Sequence, residues 1–249
     1  MRSLITAATI LVFVSLGAAY AQDATPTESL RRLREGNARF VADRPAARPT
    51  GADRLKQGRP VIAAVVSCSD ARVVPELVFD VSLGELYVVR IEGNIADPAV
   101  VGSVEYAVES LRVPLVVVLG HDSCGAVSAA VDGKPVPGDR GWLIKQVKLG
   151  DKLPTEKEAR LAAAVRHNAQ AAAKDLELRS KMIYEEVTQK KVRVVAAVYS
   201  LKTGQVEWLG KDSKELSAPS KVGQPLPAPS LAERPALFPR LRALFQRWR

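Results

Sequence analysis

Three side chains of metal-binding types stand in two short segments of this 249-residue chain. Cys68 lies in the first segment, 67–72, and His121 and Cys124 lie in the second, 120–125. Thiolate and imidazole are ligands that zinc prefers, and three protein ligands leave a fourth position open for chemistry. The His-x-x-Cys spacing alone is a weak signal, because it is common by chance. Both cysteines of the chain fall in these segments, and this favours a catalytic zinc site.

The same two cysteines also allow a structural interpretation. In an exported protein, two cysteines form one disulfide by default, because the compartment is oxidising. A Cys68–Cys124 disulfide is therefore the alternative to the zinc site. The residue types alone leave both interpretations open.

The elements that must position these side chains can be recognised by their hydrophobic patterns. An apolar run of strand length precedes each segment, at Val61–Ser67 and at Leu115–Leu119. Apolar strands that alternate with helices predict an α/β fold, with a mostly parallel central sheet and flanking helices. Ligands bind beyond the carboxyl ends of such strands, where both segments would lie. Further strands are expected at Leu86–Ile91 and Val192–Tyr199, an antiparallel edge strand at Gln205–Leu209, and helices opened by Asp97-Pro98 and spanning Arg160–Gln189.

A helix start precedes the first strand. Thr25 suits the N-cap, Pro26 suits the first helical position, and Glu28 would close a capping box. The apolar residues that follow fall on roughly one face, which predicts an amphipathic helix to about Val41.

The two ends of the chain differ in composition from the part between them. An early positive charge, an uncharged apolar run and small residues at Ala19 and Ala21 predict a signal peptide over residues 1–21, cleaved near Ala21. This implies a periplasmic or secreted protein, with an uncleaved membrane anchor as the alternative. The globular domain would span 22–210, followed by a Pro-rich linker at 211–236.

The formal net charge is +9, but the positive charges are spread along the chain and no recognition motif accompanies them. A nucleic-acid partner is therefore not expected. The exception to this spread is the tail at 237–249, where apolar residues at helical spacing alternate with four arginines. This basic amphipathic tail is expected to make weak contact with an anionic membrane surface. The alternatives are that the tail docks on a neighbouring subunit or on its own domain.

Two charged residues extend the metal-binding pattern. Cys68-x-Asp70-x-Arg72 followed by His121-x-x-Cys124 resembles the signature of the β-class carbonic anhydrases, here in a bacterial, exported form with a signal peptide. The resemblance implies the family fold, with an N-terminal helix that embraces a second subunit, and therefore a homodimer or a higher homo-oligomer. It covers roughly residues 25–209 and continues at Val88–Arg90, Gly93-Asn94, Glu105–Val108, Ala197–Tyr199 and Thr203-Gly204.

The resemblance implies the reversible hydration of carbon dioxide to bicarbonate and a proton, by a lyase with one Zn²⁺ per subunit. Zinc lowers the pKa of its water from about 15.7 to about 7, and the resulting hydroxide attacks the carbon. Asp70 and Arg72 are the implied catalytic residues. Asp70 accepts a hydrogen bond from this hydroxide, and Arg72 keeps Asp70 ionised and away from the metal. In a closed state of the site, Asp70 itself becomes the fourth ligand.

The resemblance also implies a substrate pocket that contains Tyr87, Tyr106, Gly125 and Gln57, with Gln57 one residue out of register. Glu92 lies near this pocket without an assigned role. Two alternative functions keep the same ligands. One is hydrolysis of carbon disulfide or carbonyl sulfide at the zinc site, and the other is a zinc-binding module without catalysis.

Overall fold

A computed structural model describes residues 24–46 and 60–210 of the chain. The predicted signal peptide, Gln57, the predicted linker and the predicted tail lie outside the described residues. In chain order the elements are α1 Pro26–Val41, β1 Ala63–Ser67, α2 Pro75–Val78, β2 Leu86–Arg90, a 3₁₀ turn Glu92–Asn94, α3 Pro98–Glu109, β3 Leu115–His121, α4 Gly125–Asp132, α5 Gly138–Lys145, α6 Lys157–Arg179, α7 Lys181–Thr188, β4 Arg193–Tyr199 and β5 Val206–Trp208.

The strands form one five-stranded sheet in the order β2-β1-β3-β4-β5. The first four strands are parallel, and β5 pairs antiparallel with β4 at the edge. The two central strands, β1 and β3, are buried over their whole length, which explains why both are so rich in apolar residues. The structure confirms the predicted α/β fold with a mostly parallel sheet and an antiparallel edge strand.

Two apolar clusters join the helices to the sheet. The larger cluster joins Val66 of β1 to Val104 of α3 and Leu176 of α6. The smaller cluster surrounds Cys68 and Cys124 with side chains of α4 and α6. The predicted metal ligands therefore lie in apolar surroundings. Among the described helices, none combines the length and the apolar character that crossing a membrane requires.

The long helix predicted over Arg160–Gln189 is in fact two helices, α6 and α7, which are separated at Ser180. The backbone of Ser180 is extended (φ −118°, ψ 108°), and its Oγ accepts a hydrogen bond from the Ile183 amide at 3.2 Å. The same hydroxyl donates to Glu105 at 2.6 Å. A serine side chain can compete with helical hydrogen bonding in this way. Here the Ser180 hydroxyl caps the start of α7, and α6 ends before it.

Helix α1 begins and ends where the sequence predicts. The Thr25 hydroxyl accepts a hydrogen bond from the Glu28 amide at 3.2 Å, as an N-cap should. The second half of the predicted capping box is replaced by an ion pair, because the Glu28 carboxylate binds Arg31 one turn further along. The charge-assisted i,i+3 pair thus takes the place of the return to the backbone.

Asn37 fastens α1 to its own domain. Its amide nitrogen donates to the carbonyls of Val78 and Gly204 at 3.0 and 2.9 Å, and its oxygen accepts from the Val206 amide at 2.9 Å. One buried side chain therefore joins α1 to the end of α2, to the turn before β5 and to the start of β5. The embrace of a second subunit by α1 stays a prediction.

Candidate metal centre

The two predicted segments meet at the carboxyl edge of the sheet. Strands β1 and β3 are parallel neighbours, with Ser67 opposite Leu119. Cys68 follows β1 directly, and β3 continues two residues beyond its predicted end, so that His121 is its last residue. The sheet itself therefore brings the first cysteine and the histidine to the same place.

The ligand atoms of Cys68, His121 and Cys124 all lie within 4.8 Å of one another, and the three residues are buried. Cys124 occupies the N-cap position of α4. Both cysteines are free thiols, so the structure has the arrangement of the predicted metal site and not that of the disulfide alternative. Two sulfurs and an imidazole form a donor set that suits zinc.

The orientation of the His121 ring supports this fit. Its Nδ1 lies 2.8 Å from the Asp122 carbonyl, and because a carbonyl only accepts, Nδ1 carries the proton. The other ring nitrogen, Nε2, is buried and has no hydrogen-bond partner among the described residues. A buried lone pair without a partner is costly. Nε2 is therefore the atom that a metal ion would bind, oriented by the carbonyl behind the ring.

The two thiols influence each other. The hydrogen bond with the Cys124 thiol lowers the pKa of Cys68, and the same contact raises the pKa of Cys124. The backbone N–H of Gly93 also donates to Cys68 Sγ, at 3.4 Å. Two adjacent thiolates repel each other in apolar surroundings, and a divalent cation bound by both would remove that repulsion.

Asp70 and Arg72, the predicted catalytic pair, form a bidentate ion pair beside this group. Arg72 Nε donates to Asp70 Oδ1 at 2.9 Å, and Nη2 donates to Oδ2 at 2.7 Å. These hydrogen bonds hold the pKa of Asp70 well below its usual range, so the carboxylate is ionised at neutral pH. Asp70 stands outside the group of converging ligand atoms. The closed state, with Asp70 as a ligand, stays a prediction.

Arg90 is a site residue whose role sequence reasoning missed. It is the last residue of β2, and its guanidinium donates to three successive carbonyls of the loop after β1. The distances are 3.2 Å to Cys68, 3.2 Å to Ser69 and 2.6 Å to Asp70. Arg90 thus holds the backbone that carries both a metal ligand and Asp70. The available signal was an arginine at the end of the strand next to β1.

Asp122 is a second residue that sequence reasoning missed. Its carboxylate accepts hydrogen bonds from the Ser200 hydroxyl at 2.9 Å and from the Leu201 amide at 3.0 Å. Its own amide donates to the Tyr199 carbonyl at 3.0 Å. Because the Asp122 carbonyl orients His121, these bonds to the end of β4 fix the ring as well. An acidic residue between two predicted ligands was the only signal in the sequence.

The predicted pocket residues are not all brought to the metal centre. Gly125 is exposed, directly follows Cys124, and has open space where a side chain would stand. Tyr87 and Tyr106 contact each other, with ring centroids 6.1 Å apart. Tyr87 lies opposite Ala64 in the sheet, about 13 Å along the strands from Cys68. Their role as pocket residues stays a prediction.

Comparison with known proteins is consistent with this geometry. Residues 63–206 match the family model described as carbonic anhydrase. The carbonic anhydrase of Mycolicibacterium smegmatis is 38% identical over 195 residues, which cover 74% of this chain and 94% of that protein. Carbonic anhydrase 2 of Mycobacterium tuberculosis is 50% identical over 109 residues, which cover 43% of this chain and 53% of that protein.

The fold is also found among solved structures. One of two tetrameric β-carbonic anhydrases from the ascomycete Sordaria macrospora matches with a TM-score of 0.56 and 22% identity, over 64% of this chain and 85% of that chain. At 22% identity, this match shows a similarity of fold alone. Three findings lead to one conclusion. The family model matches more than half of the chain, a relative is matched over nearly its whole length, and the fold is that of a β-class enzyme. This chain belongs to the β-class carbonic anhydrase family.

Proposed function

We propose that this chain catalyses the zinc-dependent, reversible hydration of carbon dioxide to bicarbonate and a proton. The observation that carries the proposal is the buried Cys68, His121 and Cys124 group beside an ionised Asp70. Zinc at such a donor set acts as a Lewis acid that makes a water molecule nucleophilic at neutral pH. The chain's own residues then have to orient that water and admit the substrate.

Asp70 is the residue that orients the water. An ionised carboxylate only accepts hydrogen bonds, so Asp70 accepts one from the attacking water and directs that water's lone pair toward carbon. Arg72 binds both carboxylate oxygens and restricts Asp70 to one orientation. The pair thereby contributes to catalysis by positioning as well as by charge.

Carbon dioxide enters beside Gly125 in this proposal. A Cβ at Gly125 would have no atom within 4 Å, so the space next to Cys124 is open. Apolar side chains, among them Ile95 and Val127, pack around the two cysteines. A small, uncharged, linear substrate requires little polar recognition, and such a surface suits it.

Tyr87 and Tyr106 belong to a pocket in a second subunit in this proposal. Tyr87 lies about 13 Å along the strands from Cys68, too far to reach the metal ligands of its own chain, and Tyr106 contacts Tyr87 and is exposed. The assembly is a homodimer or a higher homo-oligomer in which α1 embraces the partner. The tetrameric state of the β-carbonic anhydrases from Sordaria macrospora supports the assembly of this chain into an oligomer.

A stopped-flow hydration assay on the zinc-loaded protein tests the proposed function. We expect carbon dioxide turnover between pH 7 and 9, and none with a Cys124→Ser variant that has lost a metal ligand. Carbon disulfide and carbonyl sulfide are tested in parallel. Turnover of either, without carbon dioxide turnover at any pH in this range, would assign the same site to the alternative hydrolase.

The chain is exported in this proposal, with residues 1–21 removed as a signal peptide. The amino-terminal sequence of the exported protein should then begin at Gln22. The tail at 237–249 makes weak contact with anionic membrane surfaces, because arginines and apolar residues alternate in it. Deletion of 237–249 should reduce binding to anionic liposomes, and unchanged binding would contradict the contact.

A further inference from the structure

Asn168 is a buried polar residue of α6 that the proposed mechanism does not use. Its side chain is only 1% exposed. The amide nitrogen donates to the Gly93 carbonyl at 2.7 Å, and the oxygen accepts from the Lys148 amide at 3.0 Å. One side chain therefore joins α6 to the 3₁₀ turn and to the segment after α5.

The 3₁₀ turn that Asn168 holds is in contact with the metal centre. The Gly93 amide donates to Cys68 Sγ at 3.4 Å, so the turn supplies a hydrogen bond to one of the two sulfur ligands. The turn packs closely against α4 at Gly93. Gly93 has a positive φ of 72°, and a Cβ there would lie 3.1 Å from Ala126 of α4. Asn168 holds this turn from the side of α6, through the Gly93 carbonyl.

We infer that Asn168 is a positioning residue for the metal centre, which fixes the Gly93 amide against the Cys68 sulfur. This inference rests on the zinc centre of the proposed function. Hydrogen bonds to a ligating sulfur reduce the charge that it donates to the metal, and groups behind the ligands tune metal affinity. Asn168 acts on the Cys68 sulfur indirectly, through the backbone of Gly93.

The test replaces Asn168 with leucine, which has a similar shape and makes no hydrogen bonds. We expect the Asn168→Leu protein to bind zinc roughly 10-fold more weakly in competition with a chelator. Cobalt substitution supplies a second readout, because thiolate-to-cobalt charge-transfer bands report on the sulfur ligands. These bands should shift in energy in the variant.

Asn37 offers a matched control. It is also a buried asparagine bonded to backbone groups, three where Asn168 has two, but it lies on α1 and joins segments that carry no metal ligand. The Asn37→Leu protein should lose stability, yet bind zinc within twofold of the wild type and keep the cobalt bands unchanged. The contrast separates positioning of the sulfur from loss of stability in general.

Asn168→Ala is a milder second variant, since a water molecule can enter the space that it leaves. It should show the same changes to a smaller degree. Unchanged bands and zinc affinity in a folded Asn168→Leu or Asn168→Ala protein would overturn the inference. So would failure of both to fold while Asn37→Leu folds, because Asn168 would then be a purely structural residue. A wild-type protein that takes up no cobalt or zinc would instead contradict the metal centre itself.

Discussion

His121 shows how one backbone group determines which atom of a side chain can bind a metal. The Asp122 carbonyl accepts a hydrogen bond from Nδ1–H, and this leaves the buried Nε2 as the nitrogen with a free lone pair for a metal. Asp122 is in turn fixed by Ser200 at the end of β4. The imidazole is therefore oriented before a metal binds, and a pre-oriented donor keeps the entropic cost of binding low.

Replacement of Asp70 by asparagine tests its role at the residue level. The variant keeps nearly the same shape but loses the negative charge that pairs with Arg72. Its side-chain amide also donates hydrogen bonds, whereas the carboxylate only accepts them. We expect kcat/KM for carbon dioxide hydration to fall roughly 100-fold, the scale of one positioned hydrogen-bonding group in an active site. Zinc content should stay at one per subunit.

The matched control for this variant is Glu28→Gln. Glu28 also forms a bidentate pair with an arginine, Arg31, but on the exposed side of α1. Such surface ion pairs contribute little to stability, so the activity of the Glu28→Gln protein should be unchanged. If Asp70→Asn retained wild-type kcat/KM, Asp70 would be a structural ion-pair residue and not a catalytic one.

The ligands could be predicted from the sequence, whereas the residues that position them could not. Cys68, His121 and Cys124 are recognisable because their types and short spacings carry the chemistry. Arg90 and Asn168 act through backbone carbonyls 22 and 75 positions away in the chain. A side chain that binds a backbone group can be of many types, and its partner has no sequence signature.

At the level of elements, the sheet was predictable because buried parallel strands are continuous apolar runs. The predicted strands all exist, with ends that differ by one or two residues. Three short helices, α2, α4 and α5, were not predicted, and the break at Ser180 was missed. Short helices have too few turns for periodicity to show, and the Ser180 break depends on Glu105, which lies 75 positions away in the chain.

The close approach of α1 to α2 gives a prediction at this level. A Cβ at Gly36 would lie 1.7 Å from the carbonyl oxygen of Phe79. Gly36→Ala should therefore push α1 away and lower the free energy of unfolding by about 1–3 kcal/mol in urea denaturation. Gly102→Ala in α3 is the control, because a Cβ there has no atom within 4 Å.

Alanine at position 102 should stabilise the protein by roughly 0.5–1 kcal/mol, since alanine restricts the unfolded chain more than glycine does. Equal effects of the two substitutions would show that Gly36 is not needed for the contact between α1 and Phe79.

The Arg166–Glu207 ion pair, which joins α6 to β5, gives a pH-dependent prediction. The hydrogen bond from Arg166 lowers the pKa of Glu207 below 4.5. The ion pair therefore stabilises the fold above pH 4.5, and this stabilisation is lost as the pH falls through the lowered pKa. Both side chains are about half exposed, which limits the effect to at most about 1 kcal/mol.

Glu207→Gln should therefore be less stable than the wild type at pH 7, and the difference should vanish well below pH 4.5. Urea unfolding of both proteins across this range measures it. A difference that stays constant down to pH 3 would mean that the carboxylate charge is not its source.

For the whole molecule, the proposed export creates a conflict that zinc resolves. The sulfurs of Cys68 and Cys124 lie within 4.8 Å of each other, close enough to be oxidised to a disulfide after a small movement. An oxidising compartment favours that disulfide. Bound zinc keeps both sulfurs as thiolate ligands and so protects them.

Zinc removal followed by mild oxidation should inactivate the protein, and activity should return with a reductant plus zinc but not with zinc alone. Mass spectrometry should find a Cys68–Cys124 disulfide in the inactive protein, and the zinc-loaded protein should resist the same oxidant. Recovery with zinc alone would contradict this account of the two cysteines.

The most direct test of the central claim is a zinc titration of the zinc-free protein, kept reduced, with carbon dioxide hydration measured by stopped flow at each point. Activity should rise in proportion to bound zinc and reach its maximum at one zinc per subunit, while Cys124→Ser stays inactive throughout. Turnover that is independent of zinc, or fully loaded protein without turnover at any pH between 7 and 9, would contradict it.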